Sequence, residues 1–410
     1  MKYKISEICE VNSNNLSKKD DFKYIDYLDT SNLTKGIIGE LQTLNLSTDK
    51  IPSRAKRKIK DKDILISTVR PNQKHYGIIK KAKKNLIAST GFVVLSANES
   101  LVDSEYLYRF LTQDNMTEYF QAIGETSTTA YPSIKPSVIS ELEINLPPLE
   151  EQKAIAKILS NLDEKIEVNN KINKNLEEMA QAIFKQWFVD FEFPNEEGKP
   201  YKSSGGEMVE SELGMIPKDF NVISIYDVAN IIYGAPFKSK LFNEDKKGLP
   251  LIRIRDLKSG TPNFYTEEEH SKATIVKTGD ILVGMDAEFT PTIWHGETGY
   301  LNQRVCMFKS KISYISDYFL YESIKPYMKF MESAKVGTTV IHLGKSDIDK
   351  LTIILPSIDI IKRFSEISNS ILVKMINIYN ENRNLNKLRD TLLPKLMSGE
   401  IRVPLENNEN

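Results

Sequence analysis

The sequence has no run of about 18 apolar residues, the length a membrane-spanning helix needs. Its start, MKYKISEICEVNSNN, lacks the apolar core of a secretion signal. These absences point to a cytoplasmic protein. Two cysteines, Cys9 and Cys306, lie far apart and exclude a disulfide framework or a cysteine metal site. The histidines His75, His270, His295 and His342 are scattered without metal-ligand spacing. A net charge of −1 argues against a generic nucleic-acid glue, although a basic face can hide inside a neutral total. Catalytic signatures are also missing. LGKS at 343–346 resembles the end of a phosphate-binding loop, but the required first glycine falls on Thr339. NLPPL at 145–149 differs from the Asn-Pro-Pro-aromatic motif of adenine methyltransferases by an inserted Leu146 and a missing ring. Asp190, Glu197 and Lys199 are nuclease residue types, but they follow a helix in a polar stretch unsuited to holding a metal rigidly.

What is present is length and balance. With 410 residues, 40% hydrophobic and 27% charged, the chain reads as a soluble protein of two to four domains. Charge is locally uneven. SRAKRKIKDK at 53–62 sets Arg54, Lys56, Arg57, Lys58, Lys60 and Lys62 against Asp61, and KKAKK follows at 80–84.

The chain is written twice. Leu146-Pro147 returns as Leu355-Pro356, an offset of 209 (355 − 146). IASTGFVVL at 87–95 falls on YLNQRVCMF at 300–308, and GETSTT at 124–129 on GTTVIH at 337–342, both at offset 213. DILIS at 63–67 falls on DILVG at 280–284, offset 217, and ISEICEV at 5–11 on IYDVANI at 225–231, offset 220. The offset shrinks steadily, as a few loop-length differences would produce.

Each copy opens with short β-like runs separated by Gly, Pro and Asn. A long helix follows. In copy one its stripe is Ile155, Leu159, Leu162, Ile166, Asn169, Asn173, Leu176, Ala180, Ile183 and Trp187, the alternating 4–3 spacing of a coiled-coil seam. Copy two gives Phe364, Ile371, Met375, Ile378, Asn382, Leu385, Leu392 and Leu396, with Ser368 and Arg389 as polar gaps. Pro147 and Pro148 suit a helix start, and Glu150 and Glu151 suit its positive end. A helix over 149–190 would be roughly 60 Å long. A homodimeric coiled coil is one partner for it. Pairing with the other copy's helix is favoured, because both seams carry asparagine, at Asn173 and Asn382. Residues 191–221, polar and rich in Gly, Pro and Ser, read as the linker between copies. Trp187 and Trp294 read as packing residues.

LPPLEEQKAIAKIL (146–159), IFKQWFVDFEFP (183–194), LGMIPKDFNVISIYDVA (213–229) and the twin DILIS/DILVG strands make the chain resemble the specificity (S) subunit of Type I restriction–modification enzymes over nearly its whole length. The second helix departs from the pattern, with SIDIIK in place of the Glu-Gln opening, and Phe220 stands where the family has Trp. The resemblance implies an α+β fold: two β-rich target-recognition domains separated by a long antiparallel two-helix coiled coil, in a pseudo-twofold internal repeat. The expected boundaries are 1–146 and 213–355 for the recognition domains, 147–192 and 356–400 for the spacer helices, 193–212 for the linker and 401–410 for a tail. It further implies a non-catalytic protein, each domain reading half of a split double-stranded DNA target. The helices would set the spacer and dock two modification subunits, and restriction motor-nuclease subunits could join. S-adenosylmethionine, ATP and Mg belong to those partners and none to this chain. A lone methyltransferase or nuclease, and a coiled-coil scaffold without DNA, are the competing classes.

Bases are read by side chains such as Arg, Lys, Asn and Gln at groove edges, whereas phosphates accept any cation or hydroxyl. In copy one the loop STVRPNQKHYG offers Arg70, Asn72, Gln73, Lys74 and His75, as a reader or a solvated turn. Arg54, Lys56 and Arg57 fit phosphates or a solvated face. Thr128, Thr129 and Tyr131 belong to a hydroxyl-rich loop. Copy two offers Lys238 and Lys240, then Arg253 and Arg255, which share a face if IRIRD is a strand. Asn302, Gln303, Arg304, Thr338, Thr339, His342 and Lys345 complete the candidates.

Overall fold

The computed structural model describes residues 1–17, 19–127, 131–334 and 342–404. They form two compact units, Met1–Ile166 with Leu385–Asn410, and Glu167–Asn384.

In the first unit, Cys9–Val11, Phe92–Ala97, Ile64–Ser67 and Tyr76–Ile78 form an antiparallel sheet in that order. A second sheet runs Gln42–Asn45, Tyr24–Leu28, Leu86–Ser89, Ala55–Lys58, and its central pair is parallel. In the second unit, Ala229–Tyr233, Val305–Ser310, Ile281–Gly284 and Thr292–Ile293 repeat the first order. Tyr265–Thr266, Leu249–Ile252, Gly299–Leu301 and Ile275–Val276 repeat the second, parallel pair included, with Phe242–Asn243 added at one edge. The strand starts Leu86 and Gly299, Ile64 and Ile281 keep the offsets of 213 and 217 read from the sequence. The internal repeat is therefore a repeat of topology.

The twin strands are apolar at successive positions because both faces are covered. Ile64 and Ile66 join one core with Val93 and Leu95, while Leu65 joins another with Phe92 and Val94. In the second unit Ile281, Val283, Cys306 and Phe308 face one core, and Leu282, Val305 and Met307 the other. Period-2 alternation sends neighbours to opposite cores.

The first long helix is Leu149–Phe184, about 54 Å at 1.5 Å per residue, followed by a single π turn over Lys185–Val189. Glu150 and Glu151 lie in its first turn. Gln152 explains the opening motif: its amide donates to the carbonyls of Pro147 and Leu101 and accepts from the N–H of Asp103. The second long helix is Ile358–Ser398.

The helices pair within the chain and antiparallel. In the first unit Ile155 and Leu159 share a core with Leu396, and Asp163 lies 2.7 Å from Arg389 and 2.5 Å from Arg109. In the second unit Phe184 meets Phe364, and Asn169 donates to Asn382 Oδ1 at 2.8 Å. Asn173, the repeat counterpart of Asn382, lies one turn beyond Asn169; both its amide atoms are buried without a partner. Asn169→Ala should therefore cost about 1–3 kcal/mol, because it strips partners from buried polar groups, whereas Asn173→Leu should stabilise by about 1–2 kcal/mol. Urea titration of the two variants checks these opposite signs.

The stretch 193–212, expected as a linker, is packed. Phe191 and Phe193 are buried, and Phe193 stacks on Tyr201 at 4.6 Å and Phe220 at 5.1 Å. Met208–Ser211 and Gly214–Pro217 form a hairpin. Its polar composition hid these anchoring rings. Among the described residues no helix is long and apolar enough to cross a membrane.

Candidate nucleic-acid interface

Three loops converge in each unit through the same backbone hydrogen bonds. In the first, Thr68 N–H donates to Gly91 O at 2.8 Å and Ile134 N–H to Thr68 O at 2.9 Å. In the second, Met285 N–H donates to Arg304 O at 2.9 Å and Leu343 N–H to Met285 O at 2.8 Å. The isolated bridges Val69–Ser133 and Asp286–His342 occupy matching places. The loop after the DILIS/DILVG strand, the turn joining Leu86–Ser89 to Phe92–Ala97 or Gly299–Leu301 to Val305–Ser310, and the segment leading into the last short helix before the long one thus meet twice.

In the first unit this cluster carries Arg70 and Tyr131. Arg70 has a left-handed backbone, φ 49°, and its guanidinium lies 4.0 Å from the Tyr131 ring centre. Its N–H donates to Pro132 O. Exposed Arg54 joins them, since its carbonyl accepts from Thr90 N–H beside Gly91. The rest of the STVRPNQKHYG loop is fastened down. His75 Nδ1 lies 2.8 Å from Leu33 O and its Nε2 3.1 Å from Gln73 Oε1. Lys74 pairs with Asp114 at 2.5 Å, and Asn72 N–H donates to Gln121, leaving the Asn72 side chain exposed. The loop is a braced 3₁₀ turn over Pro71–Gln73. Of the basic run, Lys56 is exposed. Arg57 donates to Asn15, and burial lowers its pKa. Lys58 and Lys62 pair with Asp20 and Glu99. Only part of that run remains for phosphates.

In the second unit the cluster holds exposed Gln303 and Arg304, with His342. Arg304 Nη1 lies 3.4 Å from Asp286 Oδ2, and His342 Nδ1 2.7 Å from Asp286 Oδ1. The Gln303 N–H donates to Ala235 O, which ties in the segment leading to exposed Lys238 and Lys240. Buried Asn302 helps form the turn, and Lys345 is exposed at the start of a short helix. Arg253 and Arg255 do not share a strand face. The strand ends at Ile252 and a helical turn covers Ile254–Leu257, because Asp256 accepts from the Arg253 N–H and closes the turn. The Arg253 side chain is 17% exposed and lies 4.3 Å from the Phe264 ring, a structural brace, whereas Arg255 is exposed. Burial pushes the Asp256 carboxyl up. Thr128, Thr129, Thr338 and Thr339 lie outside the described residues.

Asp286 is not one of the Arg, Lys, Asn or Gln reader types, and its one sequence signal is its place two residues after the DILVG strand. No group of three or more His, Cys, Asp or Glu among the described residues could hold a metal. Asp190 pairs with Lys185, and Glu197 with Lys199.

A family profile described as the Type I restriction modification DNA specificity domain matches residues 1–178 and 217–388, once in each copy. The chain belongs to this specificity family. It is a DNA-recognition subunit of a Type I restriction–modification system, not itself an enzyme. The HindI specificity subunit of Haemophilus influenzae is 27% identical, with 95% of this chain and 97% of that one aligned. The MjaIX specificity subunit of Methanocaldococcus jannaschii is 31% identical over 80% of this chain and 76% of its own. The fold is shared with the crystal structure of a Type I system S subunit from M. genitalium, 17% identical, TM-score 0.54, covering 97% of this chain and 95% of that one.

Proposed function

We propose that each unit of this specificity subunit reads one half of a bipartite double-stranded DNA target through its three-loop cluster. The two long helices set the spacer and dock two modification subunits, and restriction motor-nuclease subunits join for cleavage. S-adenosylmethionine, ATP and Mg act on those partners, and the cytoplasm, where the DNA is, is the place of action. The observation that carries this reading is the repetition of one backbone framework with unlike side chains: Arg70 and Tyr131 in one copy, Gln303, Arg304 and His342 in the other. A shared frame with diverged tips suits two different half-sites. Arg54, Lys56, Asn72, Lys238, Lys240 and Arg255 are exposed and suit phosphates or groove edges; Lys74, His75 and Gln73 support the loop.

Methylome sequencing of cells carrying this chain and its modification subunit should return one split motif with two unlike halves. A single continuous motif, or none, would count against the reading. Spacer length offers a second check. Since the helices pair antiparallel, one heptad must leave each: Asn169–Asn175 from the first and Ile376–Asn382 from the second. That shortens the helix by about 10 Å at 1.5 Å per residue, close to three base pairs of about 3.4 Å. The halves should stay the same and the gap between them change; an unchanged gap would refute the spacer role.

A further inference from the structure

We infer that the second unit selects a guanine through Arg304, and that Asp286, held by His342, is the positioning residue that aims its guanidinium. This rests on the DNA-reading function proposed above.

Arg304 is fixed at its backbone on both sides. Its N–H donates to Asn302 Oδ1 at 3.3 Å, and its carbonyl accepts from Met285. One guanidinium nitrogen lies 3.4 Å from one oxygen of Asp286, and the other oxygen lies 2.7 Å from His342 Nδ1. The carboxylate is thus shared by two chain segments that converge from different parts of the sequence. Yet the Arg304 side chain is 57% exposed, unlike Arg253 at 17%, so the pair is not a buried brace. An ion pair this exposed contributes little to folding. An acid on a surface that meets a polyanion also repels phosphates, so it lowers non-specific affinity. What the carboxylate supplies is direction. Arginine has five fixed N–H donors, and one spent on Asp286 leaves an edge for a two-acceptor target. In the major groove that target is guanine, with O6 and N7; adenine would set its own N6 donor against the fork.

The first unit lacks this acid–arginine pair at the matching positions. Val69 and Gly91 occupy the places of Asp286 and Arg304, and a Cβ at Gly91 would come within 2.9 Å of Thr30 Cγ2. The guanine therefore belongs to one half-site only.

The test uses the full chain complexed with its modification subunits. Duplexes randomised across both half-sites are selected by binding and sequenced. Arg304→Lys keeps the charge but not the fork. It should reduce guanine preference about fivefold to a hundredfold at one position of one half-site, leaving the other half-site as in wild type. Asp286→Asn should weaken preference at that same position while binding to random duplex holds or rises, and Asp286→Glu should restore part of it. An Arg304→Lys profile matching wild type, with or without a uniform loss of affinity, overturns the inference, since Arg304 then touches phosphate or nothing. Loss in Arg304→Lys but none in Asp286→Asn overturns the positioning role. A wild-type complex with no sequence preference would instead overturn the DNA-reading function. Melting curves should coincide for all variants, because both side chains reach solvent.

Discussion

Replacing Phe364 with alanine should cost about 3–5 kcal/mol and collapse the second unit before the first. Phe364 is fully buried in the second long helix. Its ring centre lies 4.9 Å from Phe188, 5.9 Å from Phe184, 6.1 Å from Trp187 and 6.2 Å from Phe319. Phe188 meets it nearly perpendicular, at 81°, the edge-to-face arrangement aromatic rings prefer. The π turn over Lys185–Val189 is what presents Trp187 and Phe188 together to this ring. Alanine would leave a void that the four surrounding rings cannot close by small shifts, so the cavity adds to the lost transfer energy. Domain stability is about 5–15 kcal/mol, so this one truncation removes a large fraction. Both tryptophans, Trp187 and Trp294, lie in the second unit, so their fluorescence reports its unfolding alone. Guanidinium titration should show the fluorescence midpoint falling steeply. Leu388→Ala, truncating a side chain that is 47% exposed, should stay within about 0.5 kcal/mol of wild type. A small change for Phe364→Ala would mean the site repacks, and the ring cluster would then not anchor the helix pair.

The sequence carried the framework because periodicity and repetition are backbone-level signals. The offsets of 213 and 217 landed on strands that do correspond, and the 4–3 stripe landed on a real helix pair. Finer features depended on which side chain meets which, and spacing does not encode that. Asn382 meets Asn169 because the antiparallel register is set by rings and apolar contacts elsewhere along the helices, not by the asparagines. IRIRD reads as a strand by alternation, but Asp256 closes a turn that ends it. The stretch 193–212 reads as a linker by composition, yet Phe193 and Tyr201 outweigh its glycines and serines. At the site, Arg70 and Arg304 are candidate base readers by residue type and loop position, and Tyr131 belongs to a hydroxyl-rich loop. Asp286 was not legible, because its role depends on Arg304 and His342, which come from other segments.

Arg70→Gly should leave stability within about 1 kcal/mol of wild type while sharply weakening binding to the full DNA target. At φ 49° Arg70 occupies the left-handed region, which costs a residue with a Cβ about 1–2 kcal/mol. Glycine removes that strain and keeps the N–H bonded to Pro132 O. Against this, glycine loses about 0.5–1 kcal/mol through its freer unfolded chain, and the contact with the Tyr131 ring, about 0.5–1 kcal/mol, disappears. The terms nearly cancel, so folding does not explain why arginine stands there. The repeat supplies a control, because Ala287 holds the same left-handed position in the second unit at φ 63° with no side chain to offer DNA. Ala287→Gly should relieve strain without losing a ring contact, and its melting temperature should rise or hold. For Arg70→Gly the loss should appear in affinity instead, about fivefold to a hundredfold if a base or paired phosphate contact is removed. Anisotropy titration at fixed salt, on the full target and on a duplex scrambled in the first half-site, separates the two. Loss on the full target alone marks Arg70 as a base reader, and equal loss on both marks a phosphate contact. Wild-type affinity on both would mean that the strained loop is built for something other than DNA.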